Sequence, residues 1–313
     1  MAINDLGERG RCAIRILRKD GFSELFQRAL KLNIRKVRSL LFDSRLFIYK
    51  LLSDDGRQHA INLDGFDLFV NLNDTGLSHD LLRDGVREPI SSTTYRRELR
   101  NLDARTDETV NVLEVGAHIG YYALMPFVEC DNVHVYAVEA EPENYEFLRD
   151  NIRLNNANGY FTAEHVAFGD KNGETELTVS DQSNRHSFQD LFHEESSHRV
   201  SGKITVPMRR GEDWLADHDV EISDIDVLRM DVEGFEATIL ETLPGILNHI
   251  ELLHLEVHPK LMENDALDDV LEMLKTSGLE IVVAARNADG HELDSLDDIR
   301  KFSYMELVAR RGE

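Results

Sequence analysis

The stretch that most constrains the fold is TVNVLEVGAHIGYYAL, residues 109–124. An apolar run of strand length ends at Gly116, and the residues after Ile119 take up the spacing of a helix. Gly116 permits a sharp turn and a close approach to a ligand, and Gly120 does the same in the first helical turn, whose free N–H groups attract negative charge. The stretch therefore predicts a strand, a glycine turn and a helix that bind a nucleotide-type cofactor.

The spacing of these residues indicates which cofactor binds. A nicotinamide or flavin site needs G-x-G-x-x-G, whereas this chain has only Gly116 and Gly120 in the turn and Glu114 before them. A second apolar strand ends at Glu139, where a carboxylate can accept hydrogen bonds from both hydroxyls of a ribose. This pattern suits S-adenosylmethionine, which has an amino-acid end and one ribose. The alternative is a turn whose glycines serve only close packing, and Glu139 favours cofactor binding.

Length and cysteine content limit the class of protein. The 313 residues can form one large α/β domain and an accessory segment. Cys12 and Cys130 are far apart and not spaced for zinc, so we expect neither a disulfide framework nor a Cys-ligated metal site. The first twenty residues lack the apolar core of a signal peptide, and no apolar run reaches membrane-span length. These features predict a cytoplasmic protein without a transmembrane segment.

The charge balance is strongly acidic, with a formal net charge of −24 and 26 Arg against 9 Lys. Such an excess keeps a protein soluble where molar salt shortens the Debye length to about 3 Å. The composition is typical of a halophile's protein, and an ordinary acidic protein from an Arg-biased genome is the alternative. The negative charge also argues against nucleic-acid binding.

The N-terminal segment differs from the rest, because residues 1–50 hold 12 basic and 5 acidic side chains. Residues 11–52 alternate apolar and basic positions at helical spacing, and Ser53–Gly56 reads as a boundary. We therefore expect a basic helical segment, residues 1–56, before a main domain, residues 57–313. Packing on the main domain is the favoured role for residues 1–52, and the alternative is peripheral contact with the inner face of a membrane.

Strands alternate with helices through the remainder of the chain. This order predicts a parallel, doubly wound sheet whose ligands bind beyond the carboxyl ends of the strands. Gly116, Glu139, Asp231 and His258 all stand at such ends.

Several motifs together resemble one family. DTGLSHDLLRDGVREP, LEVGAHIGYY, VYAVEAEPENYEFLRDNI, VAFGDKNGETEL and LRMDVEGFEATIL follow one another between roughly residues 64 and 260, in the order seen in FkbM-type S-adenosylmethionine-dependent methyltransferases. The resemblance implies a Rossmann-like class I methyltransferase fold, with a mostly parallel seven-stranded sheet, helices on both faces and a reversed final hairpin. It also implies O-methylation of sugars or glycans. Family members commonly have Asp where Glu114 stands, Asn where His118 stands and Tyr where Arg87 stands.

Carried over by position, the resemblance assigns three groups of cofactor contacts. The methionine end of the cofactor would be bound by Glu114, Gly116, Ala117, His118 and Gly120. The ribose would be bound by Glu139, and the adenine by Ala167 and Phe168.

A sugar hydroxyl is a poor nucleophile while protonated, so a nearby base is expected. Asp231 and His258 are the candidates, with Glu233 and Glu256 behind them. The alternative roles are a helix cap for Asp231 and a surface position for His258.

The sequence therefore predicts an S-adenosylmethionine-dependent O-methyltransferase for a hydroxyl or carboxyl of a sugar or glycan, such as a nucleotide- or lipid-linked saccharide. A non-catalytic cofactor-binding protein and a nicotinamide-dependent oxidoreductase are the alternatives.

Composition yields the first testable prediction. The melting temperature should rise as potassium chloride is increased from low to molar concentration, because salt screens repulsion among the acidic side chains. Thermal melts followed by circular dichroism measure this, and a flat or falling melting temperature would contradict the halophile interpretation.

Overall fold

The structure is a computed structural model that describes residues 42, 46–47, 49–50, 53, 56–180, 200–262, 264–286, 289–291 and 293–312. The chain divides into two compact units, Met1–Arg57 and Gln58–Glu313. The basic helices predicted within residues 11–52 lie almost wholly outside the described residues. In the described part of the chain, no helix is both long and apolar enough to cross a bilayer.

The second unit combines three sheets with helices. Its strands are β1 (Gln58–Asn62), β2 (Asp67–Asn71), β3 (Val110–Val115), β4 (Val133–Glu139), β5 (Phe161–His165), β6 (Ala167–Phe168), β7 (Gly173–Ser180), β8 (Val200–Arg209), β9 (Val227–Met230), β10 (Leu252–Val257), β11 (Leu279–Arg286), β12 (Asp289–His291) and β13 (Met305–Arg311). Its α-helices are α1 (Leu77–Asp84), α2 (Pro89–Asp103), α3 (Leu124–Glu129), α4 (Pro142–Leu154), α5 (Gly211–Asp217), α6 (Glu236–Glu241), α7 (Ile246–His249) and α8 (Asn264–Thr276). Short 3-10 helices occupy Asn158–Tyr160, Ile222–Asp224 and Leu296–Lys301.

The main sheet has the order β12-β11-β13-β10-β9-β3-β4-β5. The pairings from β5 through β4, β3 and β9 to β10 are parallel, and β13 runs antiparallel to both β10 and β11. The predicted mostly parallel sheet with a reversed final hairpin is therefore confirmed. The centre forms because β9 and β10 are buried along their whole length, as strands covered on both faces must be.

The predicted number of seven strands is wrong, because the main sheet has eight. The additional strand is β12, three residues that pair antiparallel with the end of β11. Its sequence, Asp-Gly-His, is polar and too short to show the alternation by which a strand is recognised.

Helices cover both faces of the main sheet, as predicted. One face packs against α5, α6, α7 and α8 through a large apolar core that includes Trp214, Leu240 and Leu271. On the other face, Tyr95 of α2 contacts the His254 ring of β10, with ring centroids 4.9 Å apart.

Two smaller sheets flank the site. β1 and β2 form an antiparallel hairpin whose Phe69 backbone exchanges hydrogen bonds with Asn151 of α4. After Val166 the chain leaves the main sheet, and β6 joins β8 and β7 in a three-stranded sheet. The residues of β5 and β6 read as one strand in the sequence, but they belong to different sheets.

The register aligns the strand ends that carry the site. Val115 of β3 pairs with Val138 of β4 and with Met230 of β9. Met230 in turn pairs with Leu255 of β10. The residues that follow these positions therefore meet at one edge of the sheet, as the sequence pattern predicts.

The turn after β3 depends on the absence of a side chain at Gly116. Its φ is 80°, and a Cβ there would overlap the Asp231 carbonyl oxygen. We expect Gly116→Ala to destabilise the protein by about 2–5 kcal/mol, of which about 1–2 comes from the left-handed backbone and about 1–3 from the overlap. Chemical denaturation measures this free energy of unfolding.

Gly85→Ala is the matched control. Gly85 also has a left-handed backbone, with φ 73°, but no heavy atom lies within 4 Å of a Cβ placed there. This variant should lose only about 1–2 kcal/mol. Equal losses in the free energy of unfolding of the two variants would show that the overlap with the Asp231 carbonyl oxygen does not contribute.

Candidate functional site

A pocket opens at the carboxyl edge of the sheet, where β3, β4 and β9 end side by side. Its empty space, including the open mouth, measures about 900 Å³. The predicted site residues that line it are Gly116, Ala117, His118, Glu139, Ala167, Phe168, Asp231 and Glu233. Glu114, Gly120 and His258 are not among its lining residues.

The turn after β3 is held against the end of β4. The backbone N–H groups of Gly116 and Ala117 both donate to the carbonyl oxygen of Val138, each over 3.0 Å. His118 takes a left-handed backbone with φ 53°. Gly120 instead faces α4, where a Cβ would stand 2.9 Å from the Leu148 side chain. Gly116 to His118 therefore border the pocket, and Gly120 permits close packing.

Glu139 borders the pocket beside this turn and is oriented by backbone donors. One carboxylate oxygen accepts from the His118 N–H over 2.7 Å, and the other accepts from the Glu141 N–H over 2.8 Å. Burial raises the pKa of Glu139 to about 7, although these two hydrogen bonds favour the charged form. A carboxylate has about four acceptor positions, and the Asn144 side chain also donates to Glu139, which leaves one position for a ligand hydroxyl.

One end of the pocket is apolar. Ala167 and Phe168 of β6 contribute to it, together with Val138, Leu177 and Ile239. Because the chain departs from the main sheet at this point, both residues of β6 border the pocket, while the Phe168 ring packs against Trp214 with ring centroids 5.6 Å apart. A flat, mostly apolar group such as a nucleobase fits this end.

The predicted cofactor ligand Glu114 lies beneath the pocket. Its side chain is fully buried in β3 and accepts a hydrogen bond from Arg229 Nη1 over 3.2 Å. Burial raises the pKa of Glu114 to about 8, and the Arg229 charge only partly offsets this effect. Arg229, which contacts this carboxylate, therefore faces the pocket in its place, and a ligand does not contact Glu114 directly.

Arg229 is a site residue that the sequence analysis missed. It donates to the Gly116 carbonyl oxygen over 3.1 Å and to Asp231 over 3.2 Å, and its guanidinium lies 4.5 Å from the centroid of the Tyr122 ring. The signal that could have identified it is a charged residue inside the buried apolar run VLRM. Such a residue is almost always paired.

Asp231 faces the pocket at the end of β9. Burial disfavours its ionisation, but the positive charges of Arg229 and His258 outweigh burial and hold the pKa of Asp231 below its ordinary value. It is not a cap for α6, which begins five residues later at Glu236. The site thus presents an ionised carboxylate to the pocket.

His258 is buried behind Asp231 and not on the surface. Its Nδ1 lies 2.7 Å from Glu236, and its Nε2 lies 3.4 Å from Glu256 and 3.5 Å from Glu233. Burial lowers the pKa of His258, but the surrounding carboxylates, Glu233 foremost, outweigh it and raise the pKa well above its ordinary value. A ring that holds its proton this firmly is a poor general base at neutral pH.

The two residues before α2, Arg87 and Glu88, form a charged part of the pocket lining. Arg87 contacts Glu88 over 2.6 Å and Asp80 over 2.7 Å, and Glu88 also accepts from the Tyr122 hydroxyl over 2.6 Å. Both Arg87 and Glu88 line the pocket. Glu88 has a left-handed backbone, with φ 48°. The end of the pocket away from β6 therefore carries charges of both signs.

Comparison with solved structures finds methyltransferases at low identity. The chain is similar to a SAM-dependent methyltransferase from Agrobacterium tumefaciens, with 11% identity over 84% of this chain and 72% of that chain and a TM-score of 0.44. It is also similar to the methyltransferase FkbM from Methylobacillus flagellatus, with 12% identity, 66% and 45% coverage and a TM-score of 0.39. M. jannaschii TYW2 in complex with AdoMet gives 13% identity, 82% and 87% coverage and a TM-score of 0.39. The chain thus spans less than half of the M. flagellatus protein.

No curated protein matches the chain. The family model of the methyltransferase FkbM domain matches residues 114–281, which is more than half of the 313 residues and includes the end of β3 and all of β4, β9 and β10. The chain therefore belongs to the FkbM methyltransferase family.

Proposed function

We propose that the protein is an S-adenosylmethionine-dependent O-methyltransferase whose acceptor is a hydroxyl, or a carboxyl, of a sugar or glycan. The observation that carries this proposal is the pairing of two carboxylates in one pocket. Glu139 stands near the apolar end, and the ionised Asp231 stands at the polar end.

The lining residues fit the cofactor in three respects. Glu139 offers a carboxylate oxygen to the ribose hydroxyls, and Ala167 and Phe168 provide an apolar surface for adenine. The turn Gly116–His118 borders the space that the methionine end would occupy. Glu114 contributes through Arg229, as a positioning residue.

The cofactor supplies a methyl group on a sulfonium centre, which is already a good leaving group. The protein must mainly hold the acceptor oxygen in line with that carbon, roughly 3–3.5 Å away. As the oxygen lone pair forms the new C–O bond, the C–S electron pair returns to sulfur, and Asp231 accepts the hydroxyl proton. The adjacent positive charge of Arg229 keeps Asp231 ionised, so that it can accept this proton.

The charged and polar residues of the pocket lining favour an acceptor with several hydroxyl groups. Arg87, Glu88, Asp231 and Glu233 offer donors and acceptors around one end of the pocket, which is how several hydroxyl groups can be recognised at once. A nucleotide- or lipid-linked saccharide is the proposed form of this acceptor. A turnover screen with radiolabelled cofactor against such saccharides, read by mass spectrometry, tests the proposal.

Glu139→Gln should weaken S-adenosylmethionine binding roughly 10–100-fold, because hydrogen bonds to a charged group contribute about 1.5–3 kcal/mol. Wild-type affinity should also rise as pH increases through about 7, since Glu139 is protonated below its raised pKa and ionised above it. The variant should lack this pH dependence. Isothermal titration calorimetry measures both effects.

Glu146→Gln, an exposed position on α4, is the control and should bind like the wild type. Affinity within twofold of wild type in Glu139→Gln would contradict the ribose assignment. Tight binding of NADH in place of S-adenosylmethionine would contradict the proposed cofactor.

Asp231→Asn should lower kcat by about 10²–10⁴, because the amide keeps the shape of the carboxylate but cannot accept the proton. Cofactor affinity should stay within twofold. Initial rates with an acceptor found in the screen measure kcat.

Asp226→Asn is the matched control, since Asp226 precedes the same strand at its opposite end and accepts from the Asn111 N–H. Near-wild-type turnover in Asp231→Asn would leave alignment by the pocket as the source of catalysis. Cofactor binding without turnover of any acceptor by the wild type would instead indicate a binding protein.

A further inference from the structure

Three side chains from the ends of two neighbouring strands converge beside the pocket. Asp231 follows β9, Glu256 lies in β10, and His258 follows β10 directly. Each offers one oxygen or nitrogen atom, and these three atoms lie within 4.8 Å of one another. Two ligands of one octahedral ion lie about 3–4.2 Å apart when each bond is about 2.1 Å, so only small side-chain movements would bring the three atoms onto one ion.

The orientation of His258 is the second observation. Its Nδ1 is 2.7 Å from Glu236 Oε1, in a side chain with no exposed surface. This contact turns Nε2 of the 5%-exposed ring toward Glu256 and Glu233, at 3.4 and 3.5 Å. Those distances exceed an ordinary hydrogen bond. A carboxylate on one ring nitrogen, which leaves the other nitrogen for the ion, is the usual arrangement of a metal-bound histidine.

We propose that Asp231, Glu256 and His258 bind a divalent cation of the Mn²⁺ or Mg²⁺ class. Carboxylate oxygens suit these ions, and one imidazole favours Mn²⁺ over Mg²⁺. Four carboxylates surround the ring, those of Asp231, Glu233, Glu236 and Glu256. Arg229 already pairs with Asp231, and a dication would balance the charge of the other carboxylates better than one imidazolium does.

The position of the cation defines its role, which rests on the proposed function. Asp231 lines the pocket, so an open coordination position would face the acceptor. A hydroxyl bound there loses its proton more easily. Because Asp231 would then be a ligand of the ion, Glu233, which also lines the pocket, replaces it as the acceptor of this proton. The oxygen then forms the C–O bond as the C–S pair returns to sulfur. An acceptor with two adjacent hydroxyls would chelate the ion.

The test is Mn²⁺ binding to the full chain, measured by the loss of the free-ion signal in electron paramagnetic resonance. The protein is first treated with a chelator and then titrated in high potassium chloride, which screens loose binding to the acidic surface. We expect one strongly bound Mn²⁺ per chain. Glu256→Gln and His258→Gln should each weaken it at least about 100-fold, and Glu236→Gln, which only orients the ring, about 10–100-fold.

Glu241→Gln, exposed at the end of α6, is the control and should bind Mn²⁺ like the wild type. Calorimetry with S-adenosylmethionine, without Mn²⁺, checks that each variant keeps its fold. Absence of strong binding in the wild type, or unchanged binding in Glu256→Gln and His258→Gln, would overturn the site and leave His258 as a counter-ion. Strong Mn²⁺ binding by a protein that binds no S-adenosylmethionine would retain the cation site and refute the proposed function.

Discussion

The guanidinium of Arg229 joins the two central strands at the point where the pocket begins. It donates to Glu114 in β3, to the carbonyl oxygen of Gly116 and to Asp231 after β9. Arginine can serve three acceptors at once because its donors form a rigid fork, which a lysine ammonium cannot reproduce. Loss of one partner from such a buried pair typically costs about 3–5 kcal/mol. The geometry of the turn and the ionisation of Asp231 both depend on this contact.

The acidic character of the pocket follows from what surrounds it. Glu139, Glu114 and Glu256 are buried, and burial raises the pKa of each, to about 7, 8 and 8 respectively. Of these four carboxylates, Asp231 has its pKa lowered despite burial, because the charge of His258 adds to that of Arg229. The environment thus lowers the pKa of Asp231 and raises the pKa of the neighbouring carboxyl groups. This difference in pKa distinguishes a proton acceptor from its neighbours.

The strand ends that meet at the pocket were predictable from the sequence, but the orientation of each side chain was not. Gly116, Glu139 and Asp231 were predictable because each stands at the end of a buried strand, and parallel strands end at one edge. Glu114 and His258 were predictable as residues but not in their orientation. Both are turned away from the pocket by partners distant in sequence, Arg229 and Glu236, which no local pattern reveals.

The amino-acid sequence by itself determined the alternation of strands and helices, the glycine turn and the carboxylates at strand ends, because these depend on local periodicity and backbone freedom. Only the tertiary structure decided that β6 leaves the main sheet to bring Ala167 and Phe168 to the pocket, and that β12 makes an eighth strand. It also decided which carboxylate is ionised. The physical reason is that burial and charge pairing are set by neighbours from other strands, whose distance along the chain carries no local signal.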